Sequence, residues 1–389
     1  MAPRVATLTA ASGAYRGDMI LGPSRQRGIL ATACLALLIG ISGCSGPVAP
    51  PPAVESTSVR PSASASSTPV TPTASATPAD SATPSGSPSP TPSTDRPAKV
   101  TQRRPGWALD RIDQRSRRLD RRFTTAGQGQ GVTVYVVDGL FDVKNAEFGG
   151  RASVGLANGE ACGLEDGVNH GLFVAGLVAG RRTGVAKQAK IVSVGSSYGC
   201  EGAESTTDAK AAARIVRALN WVAKNGHRPA VVNLSLNVDA PAPTIAAAVA
   251  GLVDGGFTVV AAAGNDGTDA CQHPPAGLPS VVTAAASTKA DKDAGLNHGR
   301  CVDLFAPADG VTSVVDPALV PDGVVTRDGA ATSWAAPLVS GAAALYLSVH
   351  PSASPAEVRD WLIDNATVGA LRGDLHGSPN RLLFTGGPL

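Results

Sequence analysis

Three residues far apart in the chain have the types that acyl-transfer chemistry needs: Asp138, His170 and Ser333. A serine hydroxyl is a poor nucleophile at neutral pH. It needs a neutral imidazole to take its proton and a buried carboxylate to orient that imidazole. Ser333 lies in Asp328-Gly-Ala-Ala-Thr-Ser-Trp-Ala-Ala-Pro337 and opens a small-residue stretch that reads as a helix over 333–349. A helix start offers free backbone N–H groups and the positive end of the dipole, a setting for a nucleophile that generates an oxyanion. Asp138 closes the apolar, β-branched run Val134-Tyr-Val-Val-Asp138. Such a run reads as a buried parallel strand, whose carboxyl end is the usual site edge in open α/β sheets. His170 opens Asn169-His-Gly-Leu-Phe-Val-Ala-Gly176, whose small residues let a helix lie close to a sheet. Each residue alone has a plainer reading, as a turn residue, an N-cap or a core histidine. Their coincidence, each in its own motif, is what points to catalysis.

The elements that must position them follow from hydrophobic patterning. Strands are predicted at 132–138, 191–195, 230–235, 257–263, 280–285 and 302–305, and helices at 170–180, 206–225, 242–254, 333–349 and 355–365. Alternation of this kind gives an α/β fold in three layers, a mainly parallel sheet flanked by helices on both faces. Residues 105–389 are expected to form this single domain, large enough for one substantial core. Aromatics make up only 4% of the chain, and net charge is +2, so bulk electrostatics point to no polyanionic partner and no nucleic acid. Eight arginines fall between Arg103 and Arg122. Asp110, Asp113 and Asp120 are interleaved with them and no stacking platform accompanies them, so the stretch reads as a solvated, partly salt-bridged arm.

The front of the chain reads as a targeting segment. Arg25 and Arg27 precede the apolar run 28–41, which is followed by Ile41-Ser-Gly-Cys44. A basic start, a short apolar run and small residues before the break make a secretory signal over 1–44, with Met19 a plausible true start. The run is shorter than the ~20 residues a spanning helix needs. Residues 45–104 are almost wholly Pro, Ser, Thr and Ala, too poor in apolar surface to fold, and read as a stalk. Cys34 belongs to the apolar run, leaving Cys162, Cys200, Cys271 and Cys301 for the exported part. An even count there reads as two disulfides, with three pairings open. Closing a 30-residue loop would stabilise by roughly 3–4 kcal/mol in the chain-entropy account.

Taken together, eight motifs in order make the chain resemble the subtilisin-like serine proteases, peptidase family S8, of the proteinase K and aqualysin type. The resemblance runs from about Pro105 to about Phe384. It rests on the three segments above, on Pro105-Gly-Trp-Ala-Leu-Asp-Arg-Ile-Asp-Gln-Arg115 and Glu147-Phe-Gly-Gly-Arg151, and on Val259-Val-Ala-Ala-Ala-Gly-Asn265, Cys301-Val-Asp-Leu-Phe-Ala-Pro307 and Gly377-Ser-Pro-Asn-Arg-Leu-Leu383. The order Asp, His, Ser is the one subtilisins use. The resemblance implies that Ser333 attacks a scissile carbonyl, His170 serves as base and then acid, and Asp138 holds the histidine tautomer. It implies that Asn265 and the Ser333 N–H bind the oxyanion, and that Ser235, Leu236, Asn237, Val238, Ala263 and Gly264 line the substrate cleft. It pairs Cys162 with Cys200 and Cys271 with Cys301. It places a structural Ca²⁺ on Pro279, Val281 and Asp303, with no cofactor for catalysis. Cys44 resembles the lipidated cysteine of bacterial lipoproteins, which implies a monomer anchored to the outer face of the cytoplasmic membrane and acting on protein or peptide substrates.

The chain departs from the family pattern around the centre. Asp-Thr/Ser-Gly is Asp138-Gly-Leu140, His-Gly-Thr-His is His170-Gly-Leu-Phe173, Gly-Thr-Ser is Ala331-Thr-Ser333, and Ser-Leu-Gly-Gly is Ser235-Leu-Asn-Val238. If position 331 needed φ > 0, alanine there would cost about 1 kcal/mol. Val238 is expected to put a branched side chain where substrate passes, and Phe173, on the same helix face as His170, to pack against the imidazole. These changes predict either a narrow specificity or, as the alternative, a catalytically impaired module that binds peptides or a partner. The folded inhibitory propeptide usual in the family is replaced here by the stalk.

Overall fold

In the run Thr133–Asp138 every residue after the first is buried, as a central strand covered on both faces requires. The computed structural model describes residues 98–158, 164, 166–196, 208–238, 242–387 and 389. The signal segment with Cys44, the stalk up to residue 97, and Cys162 with Cys200 lie outside the described residues. The chain begins with β1 (Lys99–Arg103), α1 (Trp107–Ile112), β2 (Arg122–Ala126), β3 (Thr133–Asp138), β4 (Ala152–Leu156), α2 (His170–Ala179) and β5 (Lys190–Gly195). It continues through α3 (Asp208–Asn225), β6 (Ala230–Leu234), α4 (Pro243–Asp254), β7 (Thr258–Ala262), β8 (Val282–Ser287) and β9 (Leu304–Pro307). Then follow β10 (Asp309–Val314), β11 (Val324–Ala330), α5 (Thr332–Val349), α6 (Pro355–Asn365), β12 (Thr367–Val368) and β13 (Arg381–Leu382). Among the described residues no helix is long and apolar enough to cross a membrane.

Nine strands form the main sheet in the order β12-β13-β9-β8-β7-β6-β3-β5-β4, and every neighbour pair except β12–β13 is parallel. After β3 the chain passes to β4 and β5 on one side and then returns to β6 on the other. The carboxyl end of β3 is therefore a topological switch point, where an open α/β sheet leaves a crevice. Asp138 is the last residue of that strand.

Side-chain alternation decides what faces that crevice. Val134 and Val136 belong to the core shared with α2 and α5, whereas Tyr135 and Val137 belong to the core shared with α3 and α4. Asp138 has the parity of Val134 and Val136, so it falls on the face of α2 and α5. His170 begins α2 and Ser333 lies in the first turn of α5. Helix α2 is buried at all ten positions, the signature of a helix enclosed by protein on every side.

The N-terminal stretch is more integrated than a solvated arm. β1 begins before residue 105 and pairs with β2 over five residues. Arg111 is only 3% exposed and donates from Nε to Asp291 Oδ1 at 2.9 Å. Removing one partner of such a buried pair leaves an uncompensated charge, at a cost of about 3–5 kcal/mol. Asp113, at the end of α1, accepts from the Thr124 N–H at 2.7 Å through Oδ2, while Oδ1 is enclosed without a partner. Burial, and then the neighbouring charges of Asp120 and Asp110, push its pKa up to about 7.

A carboxyl whose folded pKa exceeds its unfolded value stabilises the fold below the unfolded pKa and loses that contribution as pH rises through about 7. The Asp113 contribution should therefore decline as pH rises from about 4 to about 7 and level off above that. Asp113→Asn keeps an acceptor for Thr124 and removes the charge. It is expected to flatten that slope and to raise the melting temperature at pH 8 by about 1–3 °C, read by calorimetry across pH.

Candidate active site

The acid and the histidine meet at the switch point. Asp138 is fully buried. Its Oδ1 and Oδ2 lie 2.9 and 3.0 Å from His170 Nδ1, and Oδ1 also accepts from the Gly139 N–H at 2.7 Å. A carboxylate in this position fixes Nδ1 as the protonated nitrogen and leaves Nε2 as the base. Two neighbours aim the histidine. Asn169 caps α2 through Oδ1, which accepts from the Leu172 N–H at 2.8 Å, and its Nδ2 donates to the Leu140 carbonyl at 2.9 Å. Gly171 must be glycine, because a Cβ there would overlap the Gly139 carbonyl oxygen.

The serine is held by a second set of contacts. Ser333 is buried, and its Oγ donates to the Ser235 carbonyl at 3.3 Å. Ser235 Oγ in turn donates to the Ser333 carbonyl at 3.0 Å. The reason for that return bond lies four residues on. Pro337 is inside α5 and has no N–H, so the helix cannot supply a donor to the Ser333 carbonyl, and the Ser235 hydroxyl does. Ser235 is positioned by Asn233 Nδ2 at 3.0 Å, and Asn233 Oδ1 accepts from Ser340 Oγ at 2.9 Å. This chain of polar groups pins α5 to β6.

Two donors are left for an oxyanion. Asn265 Oδ1 accepts from the N–H and the hydroxyl of Thr332, at 2.9 and 3.0 Å, so its Nδ2 is the group available to a ligand. In the first turn of α5 the Thr332 N–H is taken by Asn265 and the Trp334 N–H by the Ala331 carbonyl. The Ser333 N–H between them remains. Asn297 braces the loop that carries Asn265: its Oδ1 accepts from the N–H groups of Asp266 and Thr268, and its Nδ2 donates to the Ala263 carbonyl. The tripeptide Asn297-His298-Gly299 copies the motif around His170, yet it serves here as a buttress.

Trp334 joins the two halves. Next in chain to Ser333, its ring packs on the His170 imidazole with centroids 5.1 Å apart and on Phe173 at 4.6 Å. Phe173 thus reaches the histidine through Trp334. Arg327 lies over the same indole at 5.7 Å and pairs with Asp166 at 3.1 Å.

Two departures from the family pattern carry less strain than the sequence suggests. Ala331 has φ −148° and ψ 136°, an extended conformation open to any residue, so alanine costs nothing there. Val238 is a buried member of the core cluster that includes Leu236, Ala242 and Ile245, so its side chain adds to packing and does not cross the cleft. Of the expected cleft residues, 235–238 and 263–264 follow the paired strands β6 and β7 and lie side by side. Gly264, at φ 106°, has no room for a Cβ against the Asn297 side chain.

Cys271 and Cys301 form a disulfide with Cα atoms 5.2 Å apart. The expected calcium ligands do not fit a metal. Asp303 Oδ1 accepts from Arg359 Nη2 at 2.6 Å and Oδ2 from the Thr283 N–H at 2.8 Å, so the carboxylate already has its cation. A calcium ion with an oxygen-only shell would have to displace the guanidinium.

Residues 129–382 match the Subtilase family, Peptidase_S8. The chain is 39% identical over 281 residues to the extracellular serine proteinase of Thermus sp. (strain Rt41A), covering 72% of this chain and 66% of that protein. It is 36% identical over 291 residues to the alkaline serine exoprotease A of Vibrio alginolyticus, covering 74% of this chain and 52% of that one. The chain thus spans between about half and two thirds of the length of these relatives. A crystal structure of a cold adapted subtilisin-like serine proteinase superposes with a TM-score of 0.63 at 34% identity, covering 72% of this chain and 98% of that one.

Trp334→Ala removes the ring between His170 and Phe173. It is expected to cost about 3–5 kcal/mol in denaturant unfolding, with Trp334→Phe recovering most of the loss. Arg359→Met leaves Asp303 without its donor and is expected to cost about 1–3 kcal/mol. Chelator should barely move the unfolding midpoint of the parent protein; a shift as large as that of the variant would return the site to a metal.

Proposed function

The chain belongs to the subtilase family, and from that premise we propose that it is an extracytoplasmic serine endopeptidase working through an acyl-enzyme. The observation that carries the reading is the buried contact of Asp138 with His170 Nδ1, set against the helix turn that bears Ser333. Ser333 Oγ adds to the carbonyl carbon of the scissile peptide as its proton passes to His170 Nε2. Asp138 balances the imidazolium. The tetrahedral oxyanion accepts from Asn265 Nδ2 and the Ser333 N–H. Collapse breaks the C–N bond, the amine leaves with the proton from His170, and water repeats the sequence on the ester. In this course the Ser333 hydroxyl gives up its bond to the Ser235 carbonyl.

Substrates are proteins or peptides bound along 235–238 and 263–264, with narrow specificity. Ala331 and Val238 do not account for a narrowed cleft, so the restriction is assigned to the crowding of Trp334 and Phe173 beside the imidazole. Export by the segment 1–44, attachment at Cys44, a stalk up to the described domain, a Cys162–Cys200 bridge and a monomeric state complete the reading. The names of the Thermus and Vibrio relatives, an extracellular proteinase and an exoprotease, support export. One observation favours a second reading, a peptide-binding module of weak activity: the Ser333 hydroxyl already donates to Ser235.

A fluorophosphonate probe decides between the two. The folded chain is expected to be labelled, and Ser333→Ala to lose both labelling and at least about 10⁴-fold in turnover. A folded parent protein that takes no label supports the binding module. Peptide-library profiling should return few cleavage sequences; broad digestion of unfolded casein would contradict narrow specificity.

A further inference from the structure

The chain's charge is divided unevenly along its described part. Residues 99–122 contain nine Lys and Arg against three Asp, whereas residues 123–389 contain eighteen Lys and Arg against twenty-four Asp and Glu. A domain that is close to neutral as a whole thus carries one strongly basic segment at its amino end.

Some of that charge serves the fold. Arg111 is buried on Asp291, Arg117 lies 3.7 Å from the same carboxylate, and Arg115 donates to the carbonyls of Asn365 and Ala366 and stacks on Phe384. The rest does not. Lys99, Arg103, Arg104, Arg118, Arg121 and Arg122 are exposed and take part in no ion pair among the described residues. Four of these are crowded together. Arg103 stands directly across from Arg122 in the β1–β2 register, an arrangement in which like charges repel. Arg104 and Arg121 follow on the two strands, joined by a backbone hydrogen bond at 2.9 Å. Both have positive φ, 51° and 65°, a conformation that costs a non-glycine residue energy. The Arg121 backbone serves the fold through its N–H to Asp110 Oδ2 at 2.9 Å, but the four guanidinium groups at this end of the hairpin do not.

The same segment also exposes an apolar side chain. Leu119, 38% exposed, is one of the five large hydrophobic residues the described surface leaves open. Leu119 sits within Arg117-Arg-Leu-Asp-Arg-Arg122. Basic groups around an aliphatic residue are the composition of surfaces that settle on anionic bilayers, where charge gives attraction and the aliphatic group enters the headgroup boundary.

We infer that the β1–β2 hairpin and the 115–122 loop form a docking surface for an anionic phospholipid bilayer, complementary in charge to phosphatidylglycerol-type headgroups. The hairpin is also where the chain enters the domain, directly after the segment read as a membrane-tethered stalk. The inference deepens the anchored reading without needing it: the anchor keeps the domain near the bilayer, and the arginines hold one face against it.

The test uses the full chain with Cys44→Ser, so that no attached lipid carries the binding, in flotation with vesicles of pure phosphatidylcholine and of phosphatidylcholine with about one third phosphatidylglycerol. The apolar run 28–41 is common to all variants and contributes to both vesicle types alike. The chain is expected to favour the anionic vesicles by at least about tenfold at low salt, and to lose that preference at ~0.5 M salt, where screening is short-ranged. Arg103→Glu/Arg104→Glu/Arg121→Glu/Arg122→Glu should abolish the preference with the melting temperature kept. Should that variant not fold, Arg118→Gln/Arg121→Gln should still lower it about threefold or more. Leu119→Ser should weaken binding with its salt dependence unchanged. Equal partition into both vesicle types, charge-altered variants that bind like the parent, or capture by soluble polyphosphate with no vesicle preference would each overturn the inference. Fluorophosphonate labelling of the same samples reports on the catalytic reading separately.

Discussion

The structure turns on a carboxylate that has been taken out of water. Asp138 has no exposed surface, and its charge is supported by the Gly139 N–H and His170 Nδ1. An ionised group so enclosed is tolerated only when paired and hydrogen-bonded. That requirement propagates outward. The histidine must come from the face to which strand alternation turns Asp138. Its helix must start directly over the end of β3, so residue 171 must lack a side chain and Asn169 must cap the helix where it begins. Because α2 is enclosed on all sides, its placement also fixes α5 beside it.

The serine side is built on separate logic. Its elements are pinned by neutral hydrogen bonds among small polar residues inside an otherwise apolar layer: Ser340 to Asn233, Asn233 to Ser235, and Ser235 to the carbonyl that Pro337 leaves without a helical donor. Such a network specifies register, since a shift of α5 by one residue would leave several buried groups unpartnered. The charged half and the neutral half are then joined by an aromatic contact, Trp334 on His170, which tolerates small adjustments that a hydrogen bond would not.

Much of this was legible in the sequence, and the reasons for the remainder are physical. The six core strands were visible because a parallel strand buried on both faces reads as a continuous apolar run. β7 was expected over 257–263 and spans Thr258–Ala262. α1 was not visible, because six residues give too few turns for a period to show. β10 and β11 pair as a separate two-stranded ribbon whose second strand buries no residue fully, and such a strand lacks the continuous apolar run of a central one. Asp138, His170 and Ser333 announced themselves through residue type in context. Asn233 and Ser340 did not, although a polar residue within Ala230–Leu234 or within the apolar face of α5 is a signal that such a partner exists. Trp334 gives no such signal, because the contact of its ring with an imidazole 164 positions earlier is a property of packing. The glycine changes misled for a related reason. A missing glycine signals strain only where φ is positive, and at Ala331 it is not.

The use of arginine separates the interior from the amino-terminal surface. Wherever an arginine holds the fold together, a carboxylate or a set of carbonyls receives it: Arg111 on Asp291, Arg359 on Asp303, Arg182 on Glu147, and Arg151 on the carbonyls of Ala189, Ala179 and Glu147. Guanidinium suits these positions because its planar fork satisfies several acceptors at once and stays charged when half-buried. The Arg359 pair even occupies a carboxylate that the sequence had suggested for a divalent ion. Against that pattern, the end of the hairpin sets two arginines across from each other and two more in left-handed backbone, while its carboxylates, Asp110 and Asp120, accept backbone N–H groups, so these four guanidinium groups form no ion pair among the described residues. The interior arginines are committed to the fold, while residues 99–122 carry nine Lys and Arg against three Asp and so present a surplus of positive charge that solvent ions or an anionic surface can meet.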